Sequence, residues 1–232
     1  MKVDVAKKNP SLESLFNDPD QVITLDANFL IPPDRPNLSS MSISFSKFQT
    51  FWLDPIFKTF LNLAIHEAVR DELVSKDIKT FIQNKADATP PQIIIHKDSE
   101  LTSVEMMLRD SIEDKIFPLT QYDPQINNRD DCGEVKTLAY IAVKGLLYFA
   151  AHDFNALQLV EMAESWSTGL DTVQAIKMYE IIFYLCVRTP SLRKSLRMLY
   201  KYQYYLTKNE KSTNPEWESF VKSMESMYRS HL

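Results

Sequence analysis

Four acidic residues stand where buried structure should end. Asp26 closes the apolar run QVITLD (21–26), Glu67 follows LNLAIH (61–66), Glu134 falls in the first turn of DCGEVKTLAYIAV (131–143), and Asp153 closes GLLYFAAHD (145–153). Carboxylates brought together repel one another and lose hydration, so their pKa values rise unless a cation compensates. An oxygen-only set of this kind suits Mg²⁺ or Mn²⁺, hard ions that take carboxylate and water ligands. A metal held there lowers the pKa of bound water and neutralises charge on a phosphate during in-line attack, the chemistry of phosphodiester hydrolysis. The expected catalytic set is therefore Asp26, Glu67, Glu134 and Asp153, with Asp26, Glu134, Asp153 and Asp131 as metal ligands.

Each acid also has a purely structural explanation. Asp26 can cap the turn before Asn28, and Asp131 with Glu134 fits a capping-box-like pattern at a helix start. Glu67 in a first helical turn is favoured by the helix dipole alone, and Glu72 reads as solvated surface. Asp153 resists this treatment best, because an unpaired carboxylate beside a buried strand is expensive. His66 and His152 flank the acids without a helical ligand spacing and read as polar junction residues.

The elements that must position these groups follow from hydrophobic pattern. Residues 21–26, 59–67, 92–97 and 145–153 are apolar runs of strand type, with a further edge strand near 171–176. Between them, helical spacing appears from about residue 68 onward, over 99–116, where Leu101, Val104, Met107, Leu108 and Ile112 mark one face, and over 131–143, with Gly145 as a C-terminal cap. Residues 45–60 read as one or two helical pieces interrupted by Pro55. Strands alternating with helices predict right-handed crossovers: an α/β fold, a three-layer α/β/α sandwich with a mainly parallel central sheet, plus a C-terminal helical extension. In such a sheet, ligands bind at the carboxyl ends of the strands, where Asp26 and Asp153 are expected to converge.

Composition narrows the classes. Three glycines, Gly133, Gly145 and Gly169, cannot build a glycine-rich phosphate loop, which excludes P-loop and dinucleotide-binding sites. Two isolated cysteines among 232 residues give no zinc knuckle or disulfide framework, so a reducing, cytoplasmic setting is expected. No apolar stretch is long enough for a membrane span, and the first residues lack a signal-peptide core. The net charge of −5 hides an acid-free segment, residues 181–209, that carries six positive charges.

The four acidic motifs together resemble PIN-domain nucleases. LDANFLI (25–31) resembles the family's opening motif, IHEAVRDEL (65–73) the second, DCGEVKTLAYIAV (131–143) the third and LLYFAAHDFNAL (146–157) the fourth, all in the family's order. The resemblance implies a PIN-like domain over residues 20–187, an N-terminal arm at 1–19 and a helical extension at 188–232. It implies a Mg²⁺- or Mn²⁺-dependent endoribonuclease acting on single-stranded or structured RNA, with Asp26, Glu67, Glu134 and Asp153 as its acids. Asn28 then supports the first acid, and Asn155 matches a further polar position beside the fourth. The resemblance leaves room for a homodimer or an antitoxin-like protein partner, although the longer intervals between motifs and the extension depart from compact toxin members. The alternative is a PIN-like module that binds nucleic acid or protein without turnover. An aspartyl-phosphate phosphatase is weaker still, because Asn28 stands where a second Asp would be needed.

In the extension, Arg193, Arg197 and Lys201 recur every four residues, interleaved with Tyr200, Tyr202, Tyr204 and Tyr205. Such a helix can hold phosphates and stack bases, or it can pack on the protein with its charges in water. A terminal helix over 214–232, with Asn214 as its cap, can pack on its own domain or on a second subunit.

Overall fold

A computed structural model describes residues 1–35, 42–126, 128 and 130–231. The elements run α1 (Pro10–Asn17), β1 (Ile23–Leu25), α2 (Asp54–Thr59), β2 (Leu63–His66), α3 (Glu67–Glu72), α4 (Lys76–Ala86), β3 (Ile94–His96) and α5 (Ser103–Ile116). They continue with α6 (Cys132–Val143), β4 (Tyr148–Ala151), α7 (Phe154–Glu161), β5 (Gln174–Lys177), α8 (Met178–Arg188), α9 (Arg193–Tyr204), α10 (Lys208–Thr213) and α11 (Trp217–Met227). The fold is of the expected α/β class: a five-stranded parallel sheet of the α/β/α sandwich type, with further helices after it.

The strands lie in the order β3-β2-β1-β4-β5. Parallel pairing sets Ile23 beside Leu63 and Tyr148, and Ala64 beside Ile94. β1, β2 and β4 are buried at every position, which is why they read as continuous apolar runs rather than alternating ones. The chain steps outward from β1 through β2 to β3, then returns to the other side of β1 with β4. This reversal puts a topological switch point between β1 and β4, where open α/β sheets bind ligands.

Two compact units share the chain without following its order: one holds residues 21–31 and 61–175, the other residues 1–20, 32–60 and 176–232. In the first, Ile23, Leu25, Leu63, Ile65, Phe149 and Ala150 form the sheet core, and α6 buries Val135, Leu138 and Ala139. Gly145 (φ 65°) ends α6 as expected, with Leu146 N–H reaching Ile141 O and Gly145 N–H reaching Ala142 O, a Schellman closure. α5 forms where expected, started by a capping box between Thr102 and Glu105. Its inward face is not the apolar one, however: Val104, Met107 and Leu108 are exposed, while Arg109 is buried. Arg109 can take that place because its two terminal nitrogens are paired with Asp98 and Glu113.

The second unit has an aromatic core. Tyr200 stacks on Phe220 with ring centroids 4.5 Å apart, and Tyr179, Tyr204, Trp217 and Tyr228 are buried around them. Asn214 does not cap the terminal helix, as its sequence context suggested. It ends α10, buried, accepting Val3 N–H and donating to Tyr204 O, and α11 starts after Glu216. No helix among the described residues is long and apolar enough to cross a membrane.

Candidate metal centre

Asp26 leaves the carboxyl end of β1, its N–H bonded to Ala150 O at 2.9 Å, and caps the short turn Ala27–Phe29. Its side chain is fully buried. Oδ2 accepts the Asn28 side-chain amide at 2.9 Å and, less closely, the Asn28 backbone N–H. Oδ1 has no hydrogen-bond partner among the described residues. Capping thus accounts for one oxygen only, and the other is a buried, unsatisfied acceptor. Burial pushes the Asp26 pKa up to about 6; Asn28 and the turn's N–H groups oppose the rise, and the charge of Asp153 adds to it.

Glu134 sits in the first turn of α6, half-buried. Burial first, then the charge of Asp26, and further the charges of Glu72 and Asp131, push its pKa up to about 9 against the pull of its own N–H. Asp131 precedes α6 in the left-handed region (φ 62°), a conformation Asp tolerates better than most residues. Its carboxylate makes no cap bond to the helix and accepts Gln121 N–H at 3.0 Å instead, so the capping-box explanation of Asp131 does not apply. Asp153 follows β4 and caps α7, Oδ1 accepting Asn155 N–H at 2.7 Å and Ala156 N–H at 3.2 Å. Asn155 itself is exposed.

The structure differs from the sequence reading over the helix after β2. Glu67, at its start, turns to the β3 side, where Oε1 accepts Asp98 N–H at 2.9 Å. Glu72, at its end and read from sequence as surface, is the acid of this helix whose charge acts on Glu134. Its Oε1 accepts the N–H of Gly133 at 2.5 Å. Sequence offered both acids; choosing between them needs the direction in which the helix leaves the sheet. A cleft of about 450 Å³ is lined by His66, Glu67, Asp98, Glu72, Cys132 and Lys136 among others, so it reaches Glu72 but not Asp26, Glu134 or Asp153.

A second group, His66, Glu67 and Asp98, has donor atoms within 4.8 Å of one another. Its chemistry suits a hydrogen-bond junction better than an ion. His66 Nδ1 accepts Ala68 N–H, which leaves the ring proton on Nε2, 3.3 Å from Asp98 Oδ1. Asp98 Oδ2 is taken by Arg109 at 2.9 Å. The His66 lone pair is therefore already engaged, in keeping with its expected role as a junction residue. Asp26, Glu72, Glu134 and Asp153 offer the opposite case: oxygen donors only, mutual repulsion, and one orphaned oxygen. That donor set fits a hard divalent cation such as Mg²⁺ or Mn²⁺.

The basic stripe of α9 lies in the other unit. Arg193 and Arg197 are half-exposed and reach Glu218 at 3.6 and 3.7 Å, while Lys201 is partly buried. Tyr200, Tyr202 and Tyr204 are enclosed in the core, so their faces are not offered to bases. A scan of protein-family models finds no match to this chain, and searches among curated proteins and among solved structures find none either.

Proposed function

We propose that this chain is a Mg²⁺- or Mn²⁺-dependent phosphodiesterase, most directly an endoribonuclease of the PIN type, with Asp26, Glu72, Glu134 and Asp153 as its acidic set and Asp131 beside them. The observation that carries the reading is the unpartnered Oδ1 of fully buried Asp26 beside other carboxylates at the sheet's switch point. Folding gains nothing from an orphaned buried acceptor among like charges, whereas a bound cation would satisfy it. Such a cation, when bound, supplies an activated water and charge neutralisation at a phosphate.

The chain's own residues do the rest. Asn28 fixes the Asp26 carboxylate, and the N–H groups of Asn155 and Ala156 fix that of Asp153. Burial and the neighbouring charges raise the Glu134 pKa to about 9, so Glu134 would have to give up a proton to hold a cation, and binding would be stronger at higher pH. Burial of Tyr200, Tyr202 and Tyr204 removes their rings as stacking surfaces for bases. Two cysteines outside any disulfide accord with a reducing, cytoplasmic setting as part of the same proposal.

The test is cleavage of end-labelled single-stranded RNA with EDTA, Mg²⁺ or Mn²⁺. Asp26→Asn and Asp153→Asn should each lower metal-dependent cleavage by about 100-fold or more, some 2.7 kcal/mol of barrier. Undiminished cleavage by the double variant, or equal cleavage in EDTA, overturns the assignment. RNA binding with no metal uptake would return the interaction-module reading.

A further inference from the structure

Gly133 is a glycine in the first turn of a helix, where glycine weakens helical structure relative to alanine. Its backbone does not require glycine, since it is not among the residues with positive φ. Its space does. A Cβ at this position would collide with the carboxylate carbon and both oxygens of Glu72. The same carboxylate accepts the Gly133 N–H at 2.5 Å, and residue 133 is next to Glu134 in the chain.

We infer that Gly133 is a positioning residue: its missing side chain and its free N–H together seat the Glu72 carboxylate beside Glu134, completing the acidic set from a second helix. The inference rests on the metal-site reading above for its functional consequence, though the seating itself is a property of the metal-free protein. The N–H holds one carboxylate oxygen and so sets the orientation of the carboxylate, as outer contacts commonly orient metal ligands. The Glu72 carboxylate, the movable end of its side chain, lies in the volume a Cβ would fill, so a side chain at residue 133 would push that carboxylate off its seat.

Gly133→Ala should improve the intrinsic helix propensity of α6 yet weaken Mn²⁺ binding, measured by calorimetry, by about 10–100-fold, the range seen when a ligand's supporting contact is lost. Adding Glu72→Asp, which shortens the clashing side chain by one methylene, should recover part of that affinity, so the double variant binds Mn²⁺ more tightly than Gly133→Ala alone. A merely structural glycine would show no such rescue. Wild-type affinity in Gly133→Ala, or a double variant weaker than Gly133→Ala, overturns the inference.

A metal-free readout separates this from the parent reading and stands even if Gly133→Ala does not fold. With ¹⁵N-glycine labelling, the chain's three glycines give three amide signals. One of them, donating to a carboxylate, should lie downfield and move upfield in Glu72→Ala while the other two hold still. No movement of any signal overturns the seating. Failure of the wild-type protein to bind Mn²⁺, with the amide response intact, overturns the metal-site reading and leaves the seating standing.

Discussion

A carboxylate with one oxygen unbonded in a buried position opposes folding whenever it is ionised, because it gives up hydration without replacement. Asp26 is in that position, and Glu134 beside it is raised further by the charges of Asp26, Glu72 and Asp131. Removing either charge should therefore stabilise the metal-free protein. Asp26→Asn and Glu134→Gln are each expected to raise the unfolding free energy in EDTA, by on the order of 1–3 kcal/mol near pH 8. Chemical denaturation checks this. Combined with lost cleavage, gained stability is the mark of a residue retained for function, since active sites commonly hold groups that folding alone would discard. Asp26→Asn with lowered stability would point to an ordinary capping role.

At the scale of elements, α6 carries two glycines needed for opposite reasons. Gly133, at its start, has an ordinary helical backbone and no room for a Cβ; Gly145, past its end, has open space around it but a left-handed backbone (φ 65°). Gly145→Ala should therefore cost about 1 kcal/mol of stability through backbone strain while leaving Mn²⁺ affinity at its wild-type value. Thermal unfolding and calorimetry on the same sample would separate it from Gly133→Ala, for which affinity is the quantity that falls. A loss of affinity in Gly145→Ala would mean that the α6 terminus, rather than the seat at residue 133, governs the acids. In α5, Val104, Met107 and Leu108 face solvent because the Asp98–Arg109–Glu113 ion pairs claim the inner side. Hydrophobic periodicity locates a helix, but it cannot weigh an ion-pair cluster against a methionine and two aliphatic side chains.

For the molecule as a whole, the direction of these shifts sets how stability depends on pH. Asp26 and Glu134 have folded pKa values of about 6 and about 9, above ordinary carboxylate values of 3.8 and 4.5, so between those limits the folded state binds more protons than the unfolded. Their contribution is fully favourable below the ordinary values and is lost as pH rises through the raised ones. Groups shifted the other way behave differently: Asp98, Glu105 and Glu210 lose their stabilising contribution only in acid, while His96, lowered from 6.5 to about 4 chiefly by burial, adds stability as pH rises to its ordinary value and just beyond, a smaller opposing contribution than that of Glu134. The metal-free protein should therefore lose stability from pH 6 to pH 9 in urea titrations, with a shallower slope in Glu134→Gln. Mg²⁺ or Mn²⁺ should reverse the loss, by about 2.7 kcal/mol at a concentration 100 times the dissociation constant. Stability that rises over this range in EDTA would contradict the raised Glu134 pKa.

The sequence by itself determined the parallel α/β class, the five strand positions to within a few residues, and the ends of β1 and β4 as the places of Asp26 and Asp153, because buried strands and the acids that end them are local patterns. It determined the stop at Gly145 for the same reason. Tertiary structure decided what depends on direction and distance: that Glu72 rather than Glu67 acts on Glu134, that Asp26 Oδ1 is left without a partner, and that the tyrosines of α9 are core. Those outcomes depend on which side chains packing brings together in three dimensions. A side chain's spacing along its own helix carries no information about the residue that faces it from another.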